Sequence, residues 1–180
     1  MTTSDSMAYI RIIDSIKAII ERCTLSLNIE FTSIVLYGSK ARGDRNSQND
    51  YEVLLLVKDD TPMLSYIRLN ETLKIELLKE KLFQVKIVLY TPETFEKVLY
   101  YDSLLGTFLY IICKENIILY DRVGTFSAIK EKLARNEIKD EEEFLNQCIG
   151  FARMLGSEKW ERKWEKALMQ HKYLKNRRTM

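Results

Sequence analysis

The 180-residue chain is poor in residues that bend, staple or ligate: it has 6 Gly, 2 Pro, 3 Cys and 1 His. So little Gly and Pro excludes collagen-like and Pro/Gly-rich disordered chains. The one histidine, His171, excludes a His-rich metal cage, and a His-based triad or dyad anywhere else. Cys23, Cys113 and Cys148 are widely separated and form no CxxC pair. That spacing argues against a zinc site or a disulfide framework and predicts buried thiols in a reducing compartment. Apolar runs such as Val53-Leu54-Leu55-Leu56-Val57 are too short to span a bilayer. The opening residues, MTTSDSMAYIRIIDS, lack the basic stretch and apolar core of a secretory signal. A cytoplasmic location without a membrane partner is expected.

What is present is an ordinary globular balance, with 46% hydrophobic and 30% charged residues. The net charge of +2, from 28 basic and 26 acidic residues, hides a segregation. Residues 157–180 hold eight basic and three acidic residues, a net +5, while the other 156 carry 20 and 23. Trp160 and Trp164 share a helical face there with Ala167, Leu168 and His171. This pattern fits a packed amphipathic helix with a solvated basic side. The alternative is an RNA contact, such as to tRNA, through Lys172 to Arg178.

Hydrophobic spacing predicts helices over about 6–27, 64–82, 92 onward, 103–113, 125–136, 140–155 and 158–176. Strands are predicted over 31–37, 50–57, 83–90 and 117–121. The VLLLV run is apolar on both faces, as in a central strand covered on each side. On the helix over 64–82, Ile67, Leu69, Leu73, Ile75, Leu77 and Leu78 are core candidates. Asp140 with Glu143 predicts a helix cap. Asp44 and the Asp59-Asp60 pair read as turn residues. The composition changes from αβ to all-α near residue 122, so the expected division is 1–122 and 123–180.

One stretch carries chemistry: Leu36-Tyr37-Gly38-Ser39-Lys40-Ala41-Arg42-Gly43-Asp44, followed by Asp50-Tyr51-Glu52-Val53. A strand ends at Gly38-Ser39, where glycine allows close backbone approach to a ligand. The Ser39 hydroxyl and the free N–H groups of a following helical turn suit a phosphate. Arg42 can contact phosphate or cap the short helix with its charge. Asp50 and Glu52, two apart at the start of a strand, point to one face, with Tyr51 and Val53 to the other. Two adjacent carboxylates repel unless a cation lies between them. Oxygen-only ligands of this kind suit Mg2+ or Mn2+ bridging substrate phosphates.

The GS turn, a spacer of ten residues from Lys40 to Asn49, and then Asp50-Tyr51-Glu52 resemble the nucleotidyltransferase superfamily of DNA polymerase β type. The GSKARGD wording is closest to its minimal branch, and the resemblance covers roughly residues 10–121. It implies an α/β (α+β) fold with a small mixed, twisted β-sheet flanked by helices; the all-α C-terminal extension is read from the helical pattern after residue 124 and lies outside the resemblance. It implies transfer of a nucleoside monophosphate from ATP or another nucleoside triphosphate to an acceptor hydroxyl. Gly38 and Ser39 would hold the triphosphate; Asp50 and Glu52 would be catalytic and hold the metal. Members usually carry a third acid in the middle of the next strand, where this chain has Lys86. Glu76, Glu80 and Glu93 are the other acids on nearby elements.

Two functions follow. The first is a Mg2+-dependent (or Mn2+-dependent) nucleotidyltransferase acting on a protein, tRNA or small-molecule acceptor. The alternative is a catalytically degenerate fold serving as a nucleotide-binding, regulatory or protein-interaction module. A small sheet with exposed edges also suggests a homodimer.

Overall fold

The computed structural model describes residues 3–43 and 50–178. Asp44, expected in a turn, lies outside the described residues. In chain order the elements are α1 (Thr3–Ser26), β1 (Phe31–Tyr37), α2 (Gly38–Ala41), β2 (Tyr51–Val57), α3 (Met63–Lys79) and β3 (Val85–Tyr90). Then come α4 (Pro92–Tyr101), α5 (Ser103–Lys114), β4 (Asn116–Asp121), α6 (Thr125–Ala134), α7 (Glu141–Met154) and α8 (Glu158–Arg178). The strands form one mixed sheet in the order β3-β2-β1-β4. β1 runs antiparallel to both β2 and β4, whereas β2 and β3 run parallel. The parallel pair needs a long crossover, which α3 supplies. The α+β architecture and mixed sheet implied by the sequence are those observed.

The chain divides into two compact units that interleave in sequence: the stretch up to Pro92 with Glu115–Phe126, and Glu93–Lys114 with the chain from Ser127 onward. The expected division was a single cut at 122.

In the first unit α1 and α3 cover one face of the sheet. Ile16, Ile19, Ile20 and Cys23 of α1, with Leu69, Leu73 and Leu77 of α3, pack on Ile34, Leu36, Val53, Leu55, Val57, Val85 and Leu89. Period-two alternation sends Val35, Leu54 and Leu56 to the other face, and they too are fully buried. That is the double burial expected of VLLLV. The stripe on α3 is narrower than its apolar content predicts: Ile67, Ile75 and Leu78 are exposed. The i, i+4, i+8 row of Leu69, Leu73 and Leu77 faces the sheet, joined by the half-buried Tyr66. Helix α3 also stops three residues before the expected end. Lys81 takes a left-handed φ of 57°, and the Leu82 N–H closes the helix on the Leu77 carbonyl at 2.9 Å. Strand β3 therefore starts at Val85, leaving Phe83 exposed ahead of it.

In the second unit α7 packs against α5 and α8. Tyr110 of α5 stacks on Phe144 of α7 at 4.4 Å between ring centroids. Asp140 caps α7 by accepting from the Glu142 N–H at 2.7 Å. Trp164 of α8 is buried, as the helical-face pattern requires. Lys172 and Lys175 of the basic segment pair with Glu142 at 3.1 and 3.7 Å, beside the N-terminus of α7. All three cysteines are free and buried. Burial pushes the Cys113 and Cys148 thiols up to about 12, so they are inert in the manner expected of packed thiols. Among the described residues, no helix is long and apolar enough to cross a membrane.

Candidate functional site

Gly38 and Ser39 stand where β1 breaks into the single turn of α2. Gly38 has φ of +74°, a conformation that L side chains rarely adopt. A Cβ on Gly38 would lie 1.8 Å from Oε2 of Glu52, so the Glu52 carboxylate occupies the space a side chain would need. The register explains this approach. Tyr37 pairs with Glu52 across β1 and β2, and the Glu52 carboxylate reaches one residue further, over the turn. There it accepts a hydrogen bond from the Ser39 backbone N–H.

Glu52 is half-buried, and its carboxyl is held above the usual carboxylate range. Burial is the main cause; Arg42 opposes it, the charge of Asp50 adds to it, and the Ser39 N–H opposes it. Asp50 is exposed, one residue ahead of β2. The two carboxylates are thus close enough to repel, with one desolvated. Burial also pushes the Tyr37 phenol upward, and Glu52 and Tyr90 add to the shift, so all three share the sheet face that carries Glu52.

Arg42 pairs with Glu115 at 3.1 Å. Because Tyr37 also registers with Asn116, this bond ties the end of α2 to the start of β4. Arg42 also brings its charge to Glu52. Lys40 is buried, with its ammonium 5.0 Å from the centre of the Tyr51 ring; Tyr9 of α1 lies 5.9 Å away on that ring. Neither Lys40 nor Glu115 stands out in the sequence. The signal for Lys40 was the alternation that turns Tyr51 inward. Glu115 had none, since its position depends on how β4 joins the sheet.

Residues 16–120 match the family model described as nucleotidyltransferase domain. The chain belongs to the nucleotidyltransferase domain family. No curated protein matches it. Among solved structures, it is similar to one titled "Crystal structure of the toxin-antitoxin with AMP-PNP". The identity is 15%, coverage is 66% of this chain and 90% of that one, and the TM-score is 0.36.

Lys86 stands where the resemblance implies a third acid. Glu52 and Lys86 are register partners across the parallel β2–β3 ladder. Val85 and Leu89 belong to the core under the sheet, so alternation puts Lys86 on the Glu52 face. Lys86 is exposed, and among the described residues it forms no ion pair with Asp50 or Glu52. The other acids considered are committed elsewhere. Glu76 and Glu80 pair with Arg22 at 2.9 and 3.4 Å, and Glu93 pairs with Lys97 at 2.6 Å.

Among the described residues, no group of three or more His, Cys, Asp or Glu could hold a metal ion. Asp50 and Glu52 are nevertheless hard oxygen donors in mutual repulsion. A pair of that kind is chemically suited to a divalent cation such as Mg2+ or Mn2+ completed by phosphate oxygens. A separate groove of about 350 Å³ lies between α3 and β3, lined by Leu73, Leu77, Phe83, Val85 and Lys86. It contains none of Gly38, Ser39, Asp50 and Glu52.

Proposed function

We propose that the chain binds a nucleoside triphosphate, with ATP as the first candidate, over the Gly38–Ser39 turn. Asp50 and Glu52 hold one Mg2+ (or Mn2+), and the domain transfers the nucleoside monophosphate to an acceptor hydroxyl. The observation that carries this reading is the Glu52 carboxylate folded onto the Gly38–Ser39 turn, with Asp50 beside it. The residues divide the work by chemistry. The absent side chain at Gly38 leaves room for close approach, and Ser39 offers its hydroxyl. Arg42 contributes positive charge close to the carboxylates while remaining anchored by Glu115. A bound cation would polarise the phosphate as a Lewis acid. In the transfer, the acceptor oxygen bonds to the α-phosphorus. The α–β phosphoanhydride bond breaks, pyrophosphate leaves, and the hydroxyl proton passes to solvent.

The test is incubation of the full chain with each labelled nucleoside triphosphate and Mg2+ or Mn2+, using cell extract as the acceptor source. Label transfer that disappears in Asp50→Ala and Glu52→Ala supports the reading. Absence of nucleotide binding by calorimetry with either cation overturns it. Lys86, opposite Glu52, favours a second reading in which nucleotide is bound but not transferred. That reading predicts calorimetric binding without label transfer.

A further inference from the structure

We propose that Lys86 serves the nucleotide site in place of a second divalent cation, pairing its ammonium with the triphosphate oxygens so that the site takes one cation per nucleotide. This rests on the reading of Gly38–Ser39, Asp50 and Glu52 as a nucleoside triphosphate site. Adjacent strands are about 4.8 Å apart, so the Lys86 backbone is one strand spacing from that of Glu52. Both side chains leave the sheet on the same face, because the flanking Tyr51, Val53, Val85 and Leu89 are in the core beneath. Strand β3 is the outer strand of the sheet, so nothing in the sheet lies beyond Lys86. Lys86 also lines the α3–β3 groove at this edge.

The charge pattern favours a phosphate partner over a metal. A protonated amine has three donors and no lone pair, so it cannot ligate Mg2+ or Mn2+. Its positive charge opposes a second cation beside Glu52. The same charge suits an anion, and a triphosphate carries more negative charge than one divalent cation neutralises. Lys40 does not compete for this role, being buried over the Tyr51 ring. Arg42 is bound to Glu115. Lys86 is the exposed cation in register with a site carboxylate.

The experiment counts metal and measures affinity separately from turnover. The full chain is saturated with a non-hydrolysable ATP analogue and titrated with Mn2+, and bound Mn2+ is counted by electron paramagnetic resonance. The expected result is one Mn2+ per chain, rising to two in Lys86→Asp. Calorimetry of the same analogue should show about a tenfold loss of affinity in Lys86→Gln, with Lys86→Arg restoring it; tenfold corresponds to about 1.4 kcal/mol. Unchanged melting temperatures in Lys86→Gln and Lys86→Arg, and a single cooperative melt in Lys86→Asp, confirm that folding is intact. Two Mn2+ in the unaltered chain, or full affinity in Lys86→Gln, overturns the proposal while leaving the nucleotide site standing. Failure of the unaltered chain to bind the analogue at all removes the underlying site as well.

Discussion

The Glu52 carboxylate occupies the place of the side chain that Gly38 lacks, with Oε2 1.8 Å from where a Cβ would stand. Sequence separates the two residues by a turn and a spacer; adjacent strands bring them together. Each therefore constrains the other, and several outcomes depend on that.

Gly38→Ala should be harmful twice over. A left-handed φ costs a non-glycine residue about 1–2 kcal/mol, so the melting temperature should fall. The new methyl must also drive the Glu52 carboxylate off the turn, because that carboxylate is the flexible partner in the clash. Nucleotide affinity in the presence of Mn2+ should fall by more than the stability loss explains. Calorimetry at a temperature where the variant is fully folded separates the two effects.

Glu52→Gln should stabilise the unliganded chain at neutral pH. Burial holds the Glu52 carboxyl above its ordinary range, so the charged form is disfavoured in the fold relative to the unfolded chain. Glutamine keeps an acceptor for the Ser39 N–H and removes the desolvated charge. A higher melting temperature together with lost Mn2+-dependent nucleotide binding is the expected pair, the trade of stability against function found at active sites. A lower melting temperature would show that the charge is well compensated in the unliganded chain.

Acid should loosen the packing of α7 against α5 and α8. Burial raises Glu141, but Lys114 at 2.5 Å, Tyr110 and the charge of His171 bring it below its ordinary range; Lys172 does the same for Glu142. A carboxyl lowered in the fold adds stability above its ordinary pKa, and that stability is lost as pH falls through the ordinary value toward the lowered one. Glu141→Gln should cost roughly 1 kcal/mol near neutrality and nothing once the carboxylates are protonated. Thermal unfolding of the variant and the unaltered chain across that range checks the convergence.

Trp164 should tolerate loss of its nitrogen but not of its bulk. Its Nε1 is buried without a hydrogen-bond partner among the described residues. An unpaired buried donor costs about 1–3 kcal/mol. Trp164→Phe should therefore change stability by less than about 1 kcal/mol, the lost packing offset by the lost penalty. Trp164→Ala should cost about 3–5 kcal/mol through the cavity it leaves. Denaturant unfolding of the two variants distinguishes them.

Local chemistry in the chain determined the elements and half of the site. Alternation marked β2 as doubly buried, and the polar break at Gly38-Ser39 marked the turn. The two-residue spacing of Asp50 and Glu52 placed the two acids close together, although β2 begins only at Tyr51, with Asp50 just ahead of it. Such features depend on neighbours within a few residues, where backbone geometry is strict. The sequence also has Lys86 where the resemblance implies a third acid, but does not show what surrounds it. Tertiary structure decided the rest. Parallel pairing of β2 with β3 set Lys86 against Glu52, and pairing of β4 with β1 brought Glu115 to Arg42. Packing selected one row of α3 for the core and exposed Ile67, Ile75 and Leu78, which periodicity had counted as equals. It also grouped Glu93–Lys114 with the C-terminal helices across the intervening β4. These relationships join residues far apart in the chain, and nothing in local propensity specifies which distant surfaces meet. The strands and helices were legible because their causes are local; the partners of Glu52 and Arg42 were not, because theirs are distant.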